Sequence, residues 1–93
     1  MSAEAVGPVL QANDLGRAVL QAIQQLNPDA RVVDRGAYYR VAARAPCVLT
    51  RAAVEQITGE PFELPGDLEL VMPSFQGFLR LTSERAEWRA VPE

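Results

Sequence analysis

Between Leu15 and Leu26 the apolar residues fall at Leu15, Ala18, Val19, Ala22, Ile23 and Leu26. Steps of three and four wind these positions into one stripe along a helix, with Arg17, Gln21, Gln24 and Gln25 on the other side. Asn13 or Asp14 can cap its start. Asn27-Pro28 ends it, because the residue before a proline is driven out of helical conformation. A lone amphipathic helix must lie on an apolar surface supplied by other elements. In a chain of 93 residues that surface has to come from the short segments on either side.

Those segments read as strands. Val6 to Ala12 precedes the helix, with Pro8 placed at a strand start or on an edge because it cannot donate to a ladder. Arg31 to Asp34 and Tyr38 to Ala43 follow around a turn at Arg35-Gly36. The second of these alternates, with Tyr39, Val41 and Ala43 against Tyr38, Arg40 and Ala42. Cys47 to Leu49 is a third short strand. Thr50 then caps a second helix, Arg51 to Thr58, with Ala53, Val54 and Ile57 inward and Gly59 at its C-terminal cap. Glu60 to Asp67 is a loop from which Phe62 and Leu64 fold back into the core. Leu68 to Met72 is expected as a strand, Pro73 to Gln76 as a loop, Gly77 to Thr82 as a strand, and Ala86 to Val91 as a last strand anchored by Trp88. The sum is an α+β fold of two βαββ-like units with an extension, antiparallel strands packed on two helices. It makes a single domain over 1–93, with 1–5 and 92–93 expected to be flexible.

Absent residue types close most routes to chemistry. There is no His and no Lys. That excludes Ser-His and Cys-His nucleophile pairs, an imidazole base, a Schiff base and a P-loop lysine. One cysteine, Cys47, cannot form an internal disulfide, and a zinc or iron–sulfur site needs several ligands. Most routes to catalysis by this chain alone are therefore closed. The lone thiol suits a reducing compartment, and the N-terminus lacks the pattern of a secretory signal, so the cytoplasm is expected. A net charge of −3 argues against nucleic acid and against anionic lipid, and no apolar run has the length of a membrane span.

Three groups of residues remain as candidates. Asp34, Arg35, Tyr38, Tyr39 and Arg40 offer a carboxylate, two guanidinia and two phenols that could bind an anion; the plainer reading is a hairpin shaped by its Asp and Arg. Neighbours on a strand point to opposite faces, so all five cannot converge. Glu55, Glu60, Glu63, Asp67 and Glu69 could do acid–base work if one were buried; they read better as solvated surface. Met72-Pro73-Ser74-Phe75-Gln76 is either a loop returning Phe75 to the core or a partner-facing knob, since Met and aromatic side chains are favoured in interface cores. Asn13 joins these as a partner-facing position. Cys47 reads as a small buried apolar residue. A small acid–base enzyme using Asp34, Tyr39 or Glu55 and a generic adaptor domain are the competing functional classes.

Taken in order, VGPVLQANDL (Val6 to Leu15), DRGAYYRVAA (Asp34 to Ala43), LTRAAVEQITGEPF (Leu49 to Phe62), LEL (Leu68 to Leu70) and PSFQG (Pro73 to Gly77) resemble the small effector proteins of soluble diiron monooxygenases. These are also called regulatory, coupling or component B proteins, and the similarity is greatest to the toluene, aromatic and alkene branch. The resemblance implies a protein without cofactor or catalysis of its own. It implies binding to the large subunit of a diiron hydroxylase, with effects on substrate access, coupling and regioselectivity. It also implies that Ser74 and its neighbours, in the loop before Gly77, face the hydroxylase. Pro73-Ser74-Phe75-Gln76 stands where the methane branch is richer in Ser and Thr.

Overall fold

The structure, a computed structural model, describes residues 5–91. It runs β1 (Ala5–Gln11), α1 (Asp14–Leu26), β2 (Arg31–Asp34), β3 (Tyr38–Arg44), β4 (Cys47–Thr50), α2 (Arg51–Thr58), α3 (Gly66–Val71), β5 (Ser74–Gln76), β6 (Phe78–Leu81) and β7 (Arg85–Arg89). Ala5 was expected to be flexible and instead opens β1. The rest of that expectation falls outside the described residues.

Two sheets form, ordered β2-β3-β1-β5 and β4-β7-β6, with every pairing antiparallel. In the first unit the third strand, β3, lies between β1 and β2. In the second, β7 lies between β4 and β6 in the same way. The two βαββ-like units thus share one layout, and α3 with β5 is the extension set into the second. β5 crosses over to complete the first sheet.

Both long helices begin at side-chain caps. Asn13 Oδ1 accepts the Gly16 N–H at 2.8 Å, and Thr50 Oγ1 accepts the Ala53 N–H at 3.2 Å. α2 ends at Gly59, whose φ of 73° is costly for a residue with a Cβ. The predicted inner face of α1 is buried at Ala18, Val19, Ala22 and Ile23. These meet Val6 and Leu10 of β1, Val41 and Ala43 of β3, Cys47 and Leu49 of β4, and Ala86 and Trp88 of β7 in one continuous core. Phe62 and Leu64 plug that core from the loop, as expected.

Three expectations need correction. Leu68 to Met72 is not a strand; Gly66–Val71 is a helix. Alternation would have buried Leu68 with Leu70, but Leu70 is 69% exposed, and the buried pair is Leu68 and Val71, three apart. Asp67 and Glu69 lie in its first turn, where the helix dipole favours negative charge. Pro73 to Gln76 is not wholly a loop, because Ser74–Gln76 pairs with β1. Pro8 is neither at a strand start nor on an edge. It sits mid-way along an interior strand, and the β1–β3 ladder steps over it: Val6 pairs with Ala43, Val9 with Arg40, and Gly7 and Pro8 are skipped.

Asn27 is the one buried polar residue among the described side chains. It lies at the end of α1 and turns its amide to the outer edge of β4.

Candidate functional site

Ser74, Phe75 and Gln76 occupy the open edge of the first sheet and are all exposed. Their partners on β1 are Val9, Pro8 and Gly7 in turn. Side chains alternate between the faces of a sheet. Val6, Pro8 and Leu10 are fully buried, so Gly7 and Val9 face outward, and Ser74 and Gln76 lie on that outer face with them. Phe75 shares the parity of Pro8, the core side. It is still 43% exposed, because β5 is the last strand of its sheet. Met72 is half-buried against the core and Pro73 is exposed. Asn13 is exposed two residues past the end of β1, with its amide engaged in the cap and with Gln11 Oε1 at 3.3 Å.

The predicted set is therefore split. Ser74 and Gln76 share a face; Phe75 and Met72 belong to the other side of the strand. Arg40, assigned from sequence to a different group, joins Ser74 and Gln76: its Nη2 donates to Gln76 Oε1 at 3.3 Å. Between them lies a recess of about 100 Å³ lined by Gly7, Val9, Arg40, Val41, Ser74 and Gln76, with Phe75 of the same strand also reaching it. Its floor requires glycine. Gly7 has φ 145°, and a Cβ there would meet the Val41 carbonyl oxygen at 2.7 Å. Sequence reasoning missed Gly7 and Val9 as parts of the site. The available signal was a glycine inside a strand, which marks a close backbone approach.

Gly77 ends β5 and turns the chain into β6 of the other sheet. Its φ is 105°, and a Cβ would lie 2.6 Å from the Arg89 carbonyl oxygen and 2.8 Å from Val6 Cγ1. The glycine that follows the candidate strand is thus fixed by packing between the two sheets.

Among the remaining candidates, Asp34, Glu55 and Asp67 have structural duties. Asp34 Oδ1 accepts the Gly36 N–H at 2.8 Å and closes the β2–β3 turn. Tyr38 and Arg40 are exposed, Tyr39 is half-buried, and the five residues do not converge. Glu55 Oε2 accepts the Phe62 N–H at 2.9 Å, fixing the loop that carries Phe62 inward. Asp67 Oδ2 accepts the Glu63 N–H at 2.9 Å. Glu60, Glu63 and Glu69 are exposed. Asp14, Glu60 and Asp67 help to line a cleft of about 450 Å³. No group of three or more His, Cys, Asp or Glu among the described residues is placed to hold a metal ion. Cys47 is fully buried, and that burial, aided by the charge of Asp29, pushes its thiol pKa up to about 12. Among the described residues no helix is long and apolar enough to cross a membrane.

The family model described as the MmoB/DmpM family matches residues 4–89. The chain is 41% identical over 91 residues to the alkene monooxygenase system effector subunit of Xanthobacter autotrophicus, covering 96% of this chain and 87% of that one. Among solved structures, a chain of a phenol hydroxylase–regulatory protein complex superposes with a TM-score of 0.82 at 22% identity, covering 91% of this chain and 95% of that one. A chain of a second such complex gives a TM-score of 0.79 at 27% identity, covering 91% of this chain and 100% of that one.

Proposed function

The chain belongs to the MmoB/DmpM family, and on that ground we propose that it is the non-catalytic effector of a multicomponent diiron monooxygenase. It docks on the large subunit of the hydroxylase and tunes substrate access, coupling and regioselectivity of hydrocarbon oxidation, working in the cytoplasm with its single thiol reduced. The likeness to an alkene monooxygenase effector subunit along nearly the whole chain carries this reading. The solved complexes of phenol hydroxylase with a regulatory protein support the choice of partner. The chain's own chemistry agrees: with no His, no Lys and one inert thiol, it has little to catalyse with and much surface to dock with.

A standard interface takes about 800 Å² from each partner, roughly one seventh of the 5679 Å² that this chain exposes. The effector moves the hydroxylase between states only by its difference in affinity for them. Driving a state from 1:99 to 99:1 takes about 5.5 kcal/mol of such difference. A smaller shift of about 1.4 kcal/mol still changes a rate tenfold.

The contact surface is assigned to Met72, Pro73, Ser74, Phe75 and Gln76 with Asn13. Phe75 supplies exposed aromatic area at a strand edge, and Ser74 and Gln76 supply hydrogen-bonding groups beside it. Phe75→Ala and Ser74→Tyr test the assignment. Weaker binding to the hydroxylase and altered turnover, with the fold intact, are expected. Unchanged binding and turnover in both variants would remove this strand from the interface.

A further inference from the structure

We propose that the recess over Gly7 receives a carboxylate side chain of the protein partner, with the Arg40 guanidinium as its counter-charge. This rests on the effector reading above and names one contact within it.

Arg40 stands on β3 and reaches across β1 toward β5, over the position where Gly7 carries no side chain. Its neighbour there is neutral Gln76. The ion pairs among the described residues use Arg17, Arg51, Arg85 and Arg89; Arg40 is in none of them, nor are Arg31, Arg35, Arg44 and Arg80, but of these only Arg40 lines the recess. An unmatched positive charge thus faces outward at the candidate strand of a chain whose net charge is −3. Three of the side chains around the recess are suited to an acceptor: the remaining Arg40 N–H groups, the Ser74 hydroxyl and the Gln76 amide N–H can all donate, while Val9, Val41 and Phe75 supply apolar wall that a side-chain methylene can meet. A guanidinium offers a planar fork that a carboxylate can meet with two bonds. The recess of about 100 Å³ is well above the roughly 10–15 Å³ that one water needs, which leaves room for a carboxylate. Gln76 is a positioning residue here, holding the guanidinium at the rim. The occupant belongs to the docked protein because the recess is continuous with β5, the strand assigned to the interface.

The test uses full-length protein and the cognate hydroxylase, measuring dissociation constants at low and high salt for wild type, Arg40→Gln and Gln76→Glu. Gln76→Glu is nearly isosteric and places an internal carboxylate on Arg40, in competition with the partner's. Both variants should bind about tenfold more weakly than wild type at low salt, lose part of the salt dependence, and melt at or above the wild-type temperature. A purely structural Arg40–Gln76 pair would leave Gln76→Glu binding like wild type or better. Wild-type binding by both variants overturns the proposal. Weakening by Arg40→Gln alone also overturns it, because an anionic occupant has to compete with the new carboxylate. Failure of wild type to bind at all removes the effector reading itself, and this contact with it.

Discussion

The side-chain amide of Asn27 pairs with both polar groups of the Val48 backbone, donating to its carbonyl at 2.7 Å and accepting its N–H at 2.9 Å. The same Nδ2 reaches the Ile23 carbonyl at 2.7 Å. Val48 lies on β4, an edge strand of the second sheet, and the Asn27 amide serves that edge as one more peptide would. The helix of the first unit is thereby tied to the first strand of the second. An Asn27→Ala variant leaves the partners of a buried amide unpaired and should lose about 2–4 kcal/mol. At about 4–8 °C per kcal/mol for a domain of this size, the melting temperature should fall by on the order of 10–30 °C. A loss below about 0.5 kcal/mol in denaturant titration would show that water replaces the amide freely.

Gly16 and Gly66 are both helical glycines and should respond in opposite ways. A Cβ on Gly16 would collide with the Gln11 carbonyl oxygen, where the helix folds back on β1. Gly66 has nothing within 4 Å. Gly16→Ala should therefore destabilise by about 2 kcal/mol or more despite the better helix propensity of alanine. Gly66→Ala should be neutral or stabilise by up to about 1 kcal/mol. Paired thermal melts of the two variants distinguish these signs.

Cys47 is fully buried, with its thiol pushed up to about 12. Only the thiolate reacts at a useful rate. At pH 8 the folded protein should resist alkylation, and the denatured protein should react at the rate of an ordinary thiol. Rapid labelling under native conditions would contradict the burial of this residue.

Glu87 sits on β7 between Arg85 and Arg89, at 2.6 Å and 2.7 Å, and opposite Arg80 of β6. Its hydrogen bond from Arg89, with the nearby positive charges, lowers its pKa below the usual 4.5. A carboxylate depressed in the folded state adds stability that is complete above its unfolded pKa and is lost as pH falls through the folded one. Wild-type stability should thus decline below about pH 4.5 more steeply than that of Glu87→Gln. Parallel pH profiles for the two proteins would contradict a role for this carboxylate.

The parts of the fold that could be read from the sequence are those whose pattern is local and long. α1 shows its stripe within 13 residues and its stop signal in the two that follow, and the cap–helix–glycine run of α2 is equally self-contained. α3 has six residues, and Leu68-Glu69-Leu70-Val71 fits alternation as well as a helical turn; only the core chooses between them. β5 has three, too few to show any period, and its pairing is supplied by β1 some 65 residues earlier. Separation along the chain hides the site as well. Arg40 and Gln76 are 36 positions apart, and nothing near either residue announces the other. Ser74, Phe75 and Gln76 could be picked out as a group, but which side of the sheet each one faces was set only when the strand docked.

Adding the protein to a purified cognate diiron hydroxylase during steady-state turnover, with product and consumed reductant both measured, tests the effector role itself. A saturable change in rate, in product formed per reducing equivalent or in product distribution is expected, reached near stoichiometric amounts. Turnover that stays the same at every ratio up to large excess, with no complex detected between the two proteins, would contradict it.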